Sequence, residues 1–159
     1  MSLLLSRDES YYVNRLRQIH LRLRDHLYRF LRLQDPATLA AVSEDAGGDT
    51  QYYLDTHIER LLIDLCREWA QEVPFVLIAE GLGADGWLPL PEGTPAQDAE
   101  FLLILDPVDG TRLLMYDKRS AWILSGIAPN FGRETELGHI VIAVQTELPI
   151  SRQHIGYQV

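Results

Sequence analysis

The sequence predicts an α+β fold, with two long N-terminal helices packed on a mainly antiparallel sheet. Two long segments of helical periodicity occupy the first half of the chain. Short apolar runs bounded by Gly, Pro and acidic residues follow them. Helices in a block ahead of strands suit one helical layer against one face of a sheet.

The first helix is expected from about Ser10 to Leu33. Tyr12, Leu16, Ile19, Leu23, Leu27 and Phe30 recur at spacings of three and four, and Asp8 and Glu9 sit near the start, where the helix dipole favours anions. Asp35-Pro36 should end it, because the residue before proline is pushed out of the helical region. Ser43 to Thr50 (SEDAGGDT) reads as an acidic, glycine-rich loop. The second helix runs from roughly Gln51 to Glu72, with Leu54, Ile58, Leu61, Leu65 and Trp69 as its apolar stripe and Leu62 widening it. Pro74 closes it. Phe75 to Ala79 reads as a strand leading to Glu80-Gly81, and residues 81–99 as a long loop or lid without periodicity. Phe101 to Leu105 is a buried strand that should stop at Asp106-Pro107, since proline cannot donate to a ladder. A short helix then follows, capped by Thr111. Ala121 to Ala128 and His139 to Thr146 complete the strands, and the tail from Pro149 is polar.

At 159 residues the chain is read as a single α+β domain over residues 1–159, a size that buries roughly 68–70% of the unfolded surface. A net charge of −9 argues against a nucleic-acid binder. The charge is uneven. Residues 1–34 carry seven Arg against three acids, and residues 35–159 carry seven Lys or Arg against twenty acids. The basic face of the first helix is therefore expected to pack near acidic neighbours, with docking of an acidic partner as the other reading. Cys66, the sole cysteine, rules out an internal disulfide and reads as a small buried thiol. The three-Leu run near the N-terminus is too short for a signal sequence, and no span approaches membrane length, so a cytoplasmic protein with no membrane partner is the expectation.

The chemistry gathers at strand ends. Glu80, Asp106 and Asp109 each follow a predicted strand. Hard cations such as Mg2+ take oxygen ligands, commonly one or two carboxylates with water and a substrate phosphate. Asp106 and Asp109 could hold such ions, with the Val108 carbonyl as a further oxygen. Gly110, Thr111 and Arg112 can present successive N–H groups to a phosphate, and the Thr111 hydroxyl could orient water. A strand-ending turn, in which the acids and Thr merely cap, is the plain alternative. An EF-hand loop fails on spacing, since the acids are three apart and position twelve is Asp117. The haloacid-dehalogenase signature, D-x-D-G-T, has one residue fewer than D-P-V-D-G-T and remains a runner-up.

The segment LDPVDGTRLLMYDKRSAW resembles the signature of the inositol monophosphatase family, the metal-dependent, lithium-sensitive sugar phosphatases that include fructose-1,6-bisphosphatase-like members. The resemblance also takes in Glu80 after an earlier strand and the two helices upstream, from about Ser10 to Gln145. It implies hydrolysis of a small phosphate monoester, an inositol or sugar phosphate, by metal-activated water, without a covalent phosphoenzyme. It further implies Mg2+ held by Glu80, Asp106, Asp109 and the Val108 carbonyl, and phosphate held by Gly110 and Thr111. Glu80, Thr111 and Asp109 would form the catalytic group. Asp55, in YYLDTHIE, resembles an acid near the family's metal cluster, although an exposed helical Asp is the commoner case; His57 reads as a surface imidazole. Two departures stand out. Ala79-Glu80-Gly81 replaces the family's G-E-E, and residues 147–159 contain no W-D-x-A-A segment. The expected domain therefore lacks the C-terminal lobe, and the sheet face that would carry it would drive homodimer formation or aggregation. A non-catalytic interaction module that keeps the fold is the second functional reading.

Overall fold

The computed structural model describes residues 5–33, 42–46, 49–80, 82 and 86–150, with backbone alone for 42–46 and 49–53. Helix α1 spans Glu9–Leu33, and each of its six expected apolar residues is buried. His20 is buried among them. The Asp35-Pro36 stop lies outside the described residues. Val42–Ala46 (β1) and Asp49–Tyr52 (β2) pair antiparallel, so the predicted Ser43–Thr50 loop is instead a two-stranded hairpin. Its acidic composition masked a pairing that backbone hydrogen bonds supply.

Helix α2 spans Tyr53–Ala70. It begins after Gln51 and Tyr52 because those residues belong to β2. Leu54, Ile58, Leu62, Leu65 and Trp69 are buried, whereas Leu61 is only partly so. Arg22–Glu68 joins the two helices at their surface and Arg15–Glu72 ties α1 to the turn after α2, so arginines of the basic helix do meet acidic neighbours.

The main sheet has the order β4-β3-β5-β6-β7, built from β3 (Phe75–Ile78), β4 (Trp87–Leu90), β5 (Phe101–Asp109), β6 (Ala121–Pro129) and β7 (Ile142–Leu148). Only β3 and β5 run parallel; the other pairs are antiparallel. Phe101, Leu103 and Leu105 alternate toward the main core, and Tyr12, Trp69, Phe75 and Phe101 meet there, with the Phe75 and Phe101 rings stacked at 4.9 Å. The fold class is as expected.

Three strand boundaries differ from the sequence reading. Trp87–Leu90 lies inside the expected loop of residues 81–99 and pairs with β3; Pro89 is tolerated there because β4 is an edge strand. Residues His139 to Val141 precede β7. Leu137–His139 forms a 3-10 turn held by reciprocal Glu136 and His139 bonds, which keeps His139 off the ladder, while the Val141 N–H reaches the Ile127 carbonyl at 2.9 Å. Finally, β5 does not stop at Asp106. Asp106 pairs with Leu124 and Asp109 with Trp122, so three steps on β5 match two on β6. This is a bulge, and the missing Pro107 N–H is tolerated where the ladder is already interrupted.

Candidate functional site

The bulge gives the DPVDGT segment its shape. Asp106 Oδ1 accepts the Val108 N–H at 3.0 Å, folding the chain back over Pro107. Gly110 follows at φ 100°, a left-handed conformation that strains other residues. A short helix, α3 (Thr111–Met115), starts there. The Gly110 carbonyl accepts the N–H groups of Leu113 and Leu114 at 3.2 Å each. Gly110 is thus the N-cap, and Thr111 does not cap the helix as its sequence position suggested. The Thr111 hydroxyl has other acceptors, the Val108 carbonyl at 2.9 Å and Asp55 Oδ1 at 2.8 Å.

That second bond brings in a residue from far away. Asp55 lies in the first turn of α2, 56 residues before Thr111, and is only half-exposed. Sequence reasoning ranked it low because a polar helical position looks the same whether it faces water or a distant loop. His57, expected at the surface, is half-buried and bonded to His26.

Asp106 and Asp109 both lie exposed at the bulge. Desolvation first, and then repulsion from Asp109 and Asp55, raises the Asp106 pKa above the usual carboxylate range, while the Val108 N–H works the other way. Asp109 and Asp55 thus act on Asp106 through space, and the Thr111 hydroxyl links Asp55 to the Val108 carbonyl. Glu80 stands exposed at the end of β3. The parallel register sets Ile78, the last residue of β3, opposite Ile104, and Glu80 and Asp106 each follow two residues further along the chain. The hydrogen-bonded set comprises Asp55, Thr111, Val108 and Asp106, without Glu80.

The donor chemistry fits a hard cation. Every candidate ligand is oxygen, and mutual repulsion among the acids is what a divalent ion would relieve. Among the described residues, no three His, Cys, Asp or Glu side chains close around a common point as a cage would. That is compatible with an ion such as Mg2+, which keeps several water or phosphate oxygens and few protein carboxylates.

No family model and no curated protein matches the chain. Solved structures do. Fructose-1,6-bisphosphatase from Leishmania major matches with a TM-score of 0.60 and 14% identity, covering 86% of this chain and 43% of that one. The extragenic suppressor protein SuhB from Bartonella henselae gives 0.60 and 17%, covering 85% and 44%. A putative sedoheptulose-1,7-bisphosphatase from Toxoplasma gondii gives 0.59 and 13%, covering 91% and 44%. The chain has a partial inositol-monophosphatase-like fold. It corresponds to the N-terminal half of these proteins and spans less than half of their length.

Proposed function

We propose that this fold hydrolyses small phosphate monoesters, inositol or sugar phosphates, with the bulge of β5 as its metal and phosphate site. The observation that carries the reading is the Thr111 hydroxyl bonded to Asp55 and to the Val108 carbonyl, with Asp106 on the Val108 N–H and under repulsion from Asp109 and Asp55. Asp106, Asp109 and the Val108 carbonyl would hold Mg2+, with Glu80, which stands outside the hydrogen-bonded set, as a further candidate ligand. When bound, that ion would neutralise phosphate charge and make a bound water more acidic. Gly110 and Thr111 bring backbone N–H groups at the start of α3 toward phosphate oxygens. The Thr111 hydroxyl, with one hydrogen directed to Asp55 or Val108, keeps lone pairs that can accept a water O–H and so orient that water. Asp55 and the Val108 carbonyl together restrict the hydroxyl's rotation, and Asp55 acts as a positioning residue.

A second reading is favoured by one observation. Ile104 (38% exposed) and Leu124 (36% exposed) lie bare on the sheet face away from the helices. On that reading the domain is an interaction module that binds a cation without turnover.

The deciding experiment is calorimetric titration of the full chain with Mg2+, with phosphate release followed on a panel of sugar and inositol phosphates, with and without Li+. Saturable binding with Li+-sensitive release supports the enzyme, and Asp109→Asn should then reduce release at least 100-fold while the melting temperature changes little. Binding without release supports the module. Hydrolysis by Asp109→Asn at the parental rate would overturn the assignment of this site.

A further inference from the structure

Where α1 packs on α2, two imidazoles meet outside the hydrogen-bonded set of the bulge site. His26 Nε2 lies 2.8 Å from His57 Nε2. The ring centroids are 5.0 Å apart and the planes 23° from parallel. Since the nitrogens are much closer together than the centroids, the rings meet tip to tip rather than face to face. One nitrogen must carry a hydrogen and the other a lone pair, so the pair shares a single proton. Phe30, one helical turn beyond His26 on the same face of α1, stacks on the His57 ring at 4.4 Å and fixes its plane. Both imidazoles remain half-exposed, open to solvent and to ions.

We propose that His26 and His57 form a two-histidine site for a borderline transition-metal ion of the Zn2+ class, which clips α1 to α2. Imidazole nitrogens favour such ions, whereas the oxygen donors of the bulge favour Mg2+, so the two sites sort metals by ligand chemistry. The exchange balances without a co-reactant. The histidine bearing hydrogen on Nε2 moves it to Nδ1 through solvent, both Nε2 lone pairs then bind the ion, and a neutral pair releases no net proton. Tetrahedral binding at about 2.0–2.1 Å per bond needs a nitrogen separation of roughly 3.3 Å. That is a modest opening of the present contact by side-chain rotation. Among the described residues no third His, Cys, Asp or Glu joins the pair, so water completes the coordination. Burial, then His26 and then Arg60, disfavours the His57 imidazolium, which keeps its lone pair in play near neutral pH.

The test is Zn2+ titration of the full chain in excess Mg2+, read by long-range 1H–15N spectra of the histidines and by thermal unfolding. The Nε2 resonances of His26 and His57 should shift together with Zn2+ and stay in place with Mg2+ alone. A Zn2+ concentration of 100 times Kd should raise the melting temperature by roughly 5–10 °C. His26→Asn and His57→Asn should each weaken Zn2+ binding at least ten-fold, with unfolding in EDTA reporting that both variants fold. Unmoved Nε2 resonances in the parent, or parental Zn2+ affinity in a folded His57→Asn, would overturn the proposal.

Discussion

Asp106 is the residue at which the site's electrostatics can be read most directly. Desolvation, Asp109 and Asp55 together raise its pKa, so the folded protein binds that proton more tightly than the unfolded chain does. An ionised Asp106 therefore costs stability above its ordinary pKa, and the cost is relieved as pH falls through the raised value. Asp106→Asn removes the charge and keeps an oxygen for the Val108 N–H. In EDTA this variant should melt higher than the parent by about 1–4 °C. Mg2+ should raise the parent's melting temperature and move the variant's far less. A lower melting temperature for Asp106→Asn in EDTA would show that the carboxylate is not under net repulsion. The neighbouring residues were legible because they are contiguous: Asp106, Asp109, Gly110 and Thr111 stand within six positions, and Pro and Gly announce the turn. Asp55 was not, because its partner lies 56 residues away.

At the scale of elements, α1 is held to the sheet by a buried polar contact as well as by its apolar stripe. His20 is fully buried, with Nε2 2.9 Å from Ser125 Oγ on β6 and Nδ1 2.9 Å from Thr146 Oγ1 on β7. Ser125 directs its only hydrogen to the Val144 carbonyl, so His20 donates from Nε2 and accepts from Thr146 at Nδ1. A second ring proton would force the Thr146 hydroxyl to turn its hydrogen away and would place a charge in the core, and burial lowers the His20 pKa to about 4. The unfolded chain protonates this residue near pH 6.5 and the folded one does not. Stability from this residue is thus complete above about pH 6.5 and falls as pH drops toward 4, by about 3 kcal/mol in all. Denaturant unfolding between pH 4 and 7 should show that loss, with a shallower dependence in His20→Gln. Equal slopes in the two proteins would refute it. The helical period revealed where α1 faces inward but not that His20 would serve as its polar anchor, since its partners are on β6 and β7.

The whole molecule has one covered sheet face and one that is partly bare. Helices α1 and α2 close over Phe101, Leu103 and Leu105, whereas Ile104 and Leu124 on the other face remain more than a third exposed, with Trp122 and Ile78 half-buried beside them. Among the described residues no helix is long and apolar enough to cross a membrane. Adjacent exposed apolar residues on a sheet favour association. Sedimentation velocity should show the weight-average mass rising with concentration, and Leu124→Lys should suppress that rise. A parent that stays monomeric at every concentration would remove the homodimer expected from this face.

The sequence alone determined the elements whose signals are local. The 3.6-residue period of α1 and α2, the apolar run of β5 and the Pro-Gly punctuation of DPVDGT each depend on neighbours within a few positions. Tertiary structure decided the rest. Backbone pairing made strands of the acidic β1–β2 hairpin and the proline-bearing β4, and antiparallel registry with β6 carried β5 through a bulge to Asp109. It also set Asp55 against Thr111, His20 against Ser125 and His26 against His57. In each case the deciding contact joins residues far apart in the chain. Whether a polar side chain there meets water or a partner is fixed only when the layers pack.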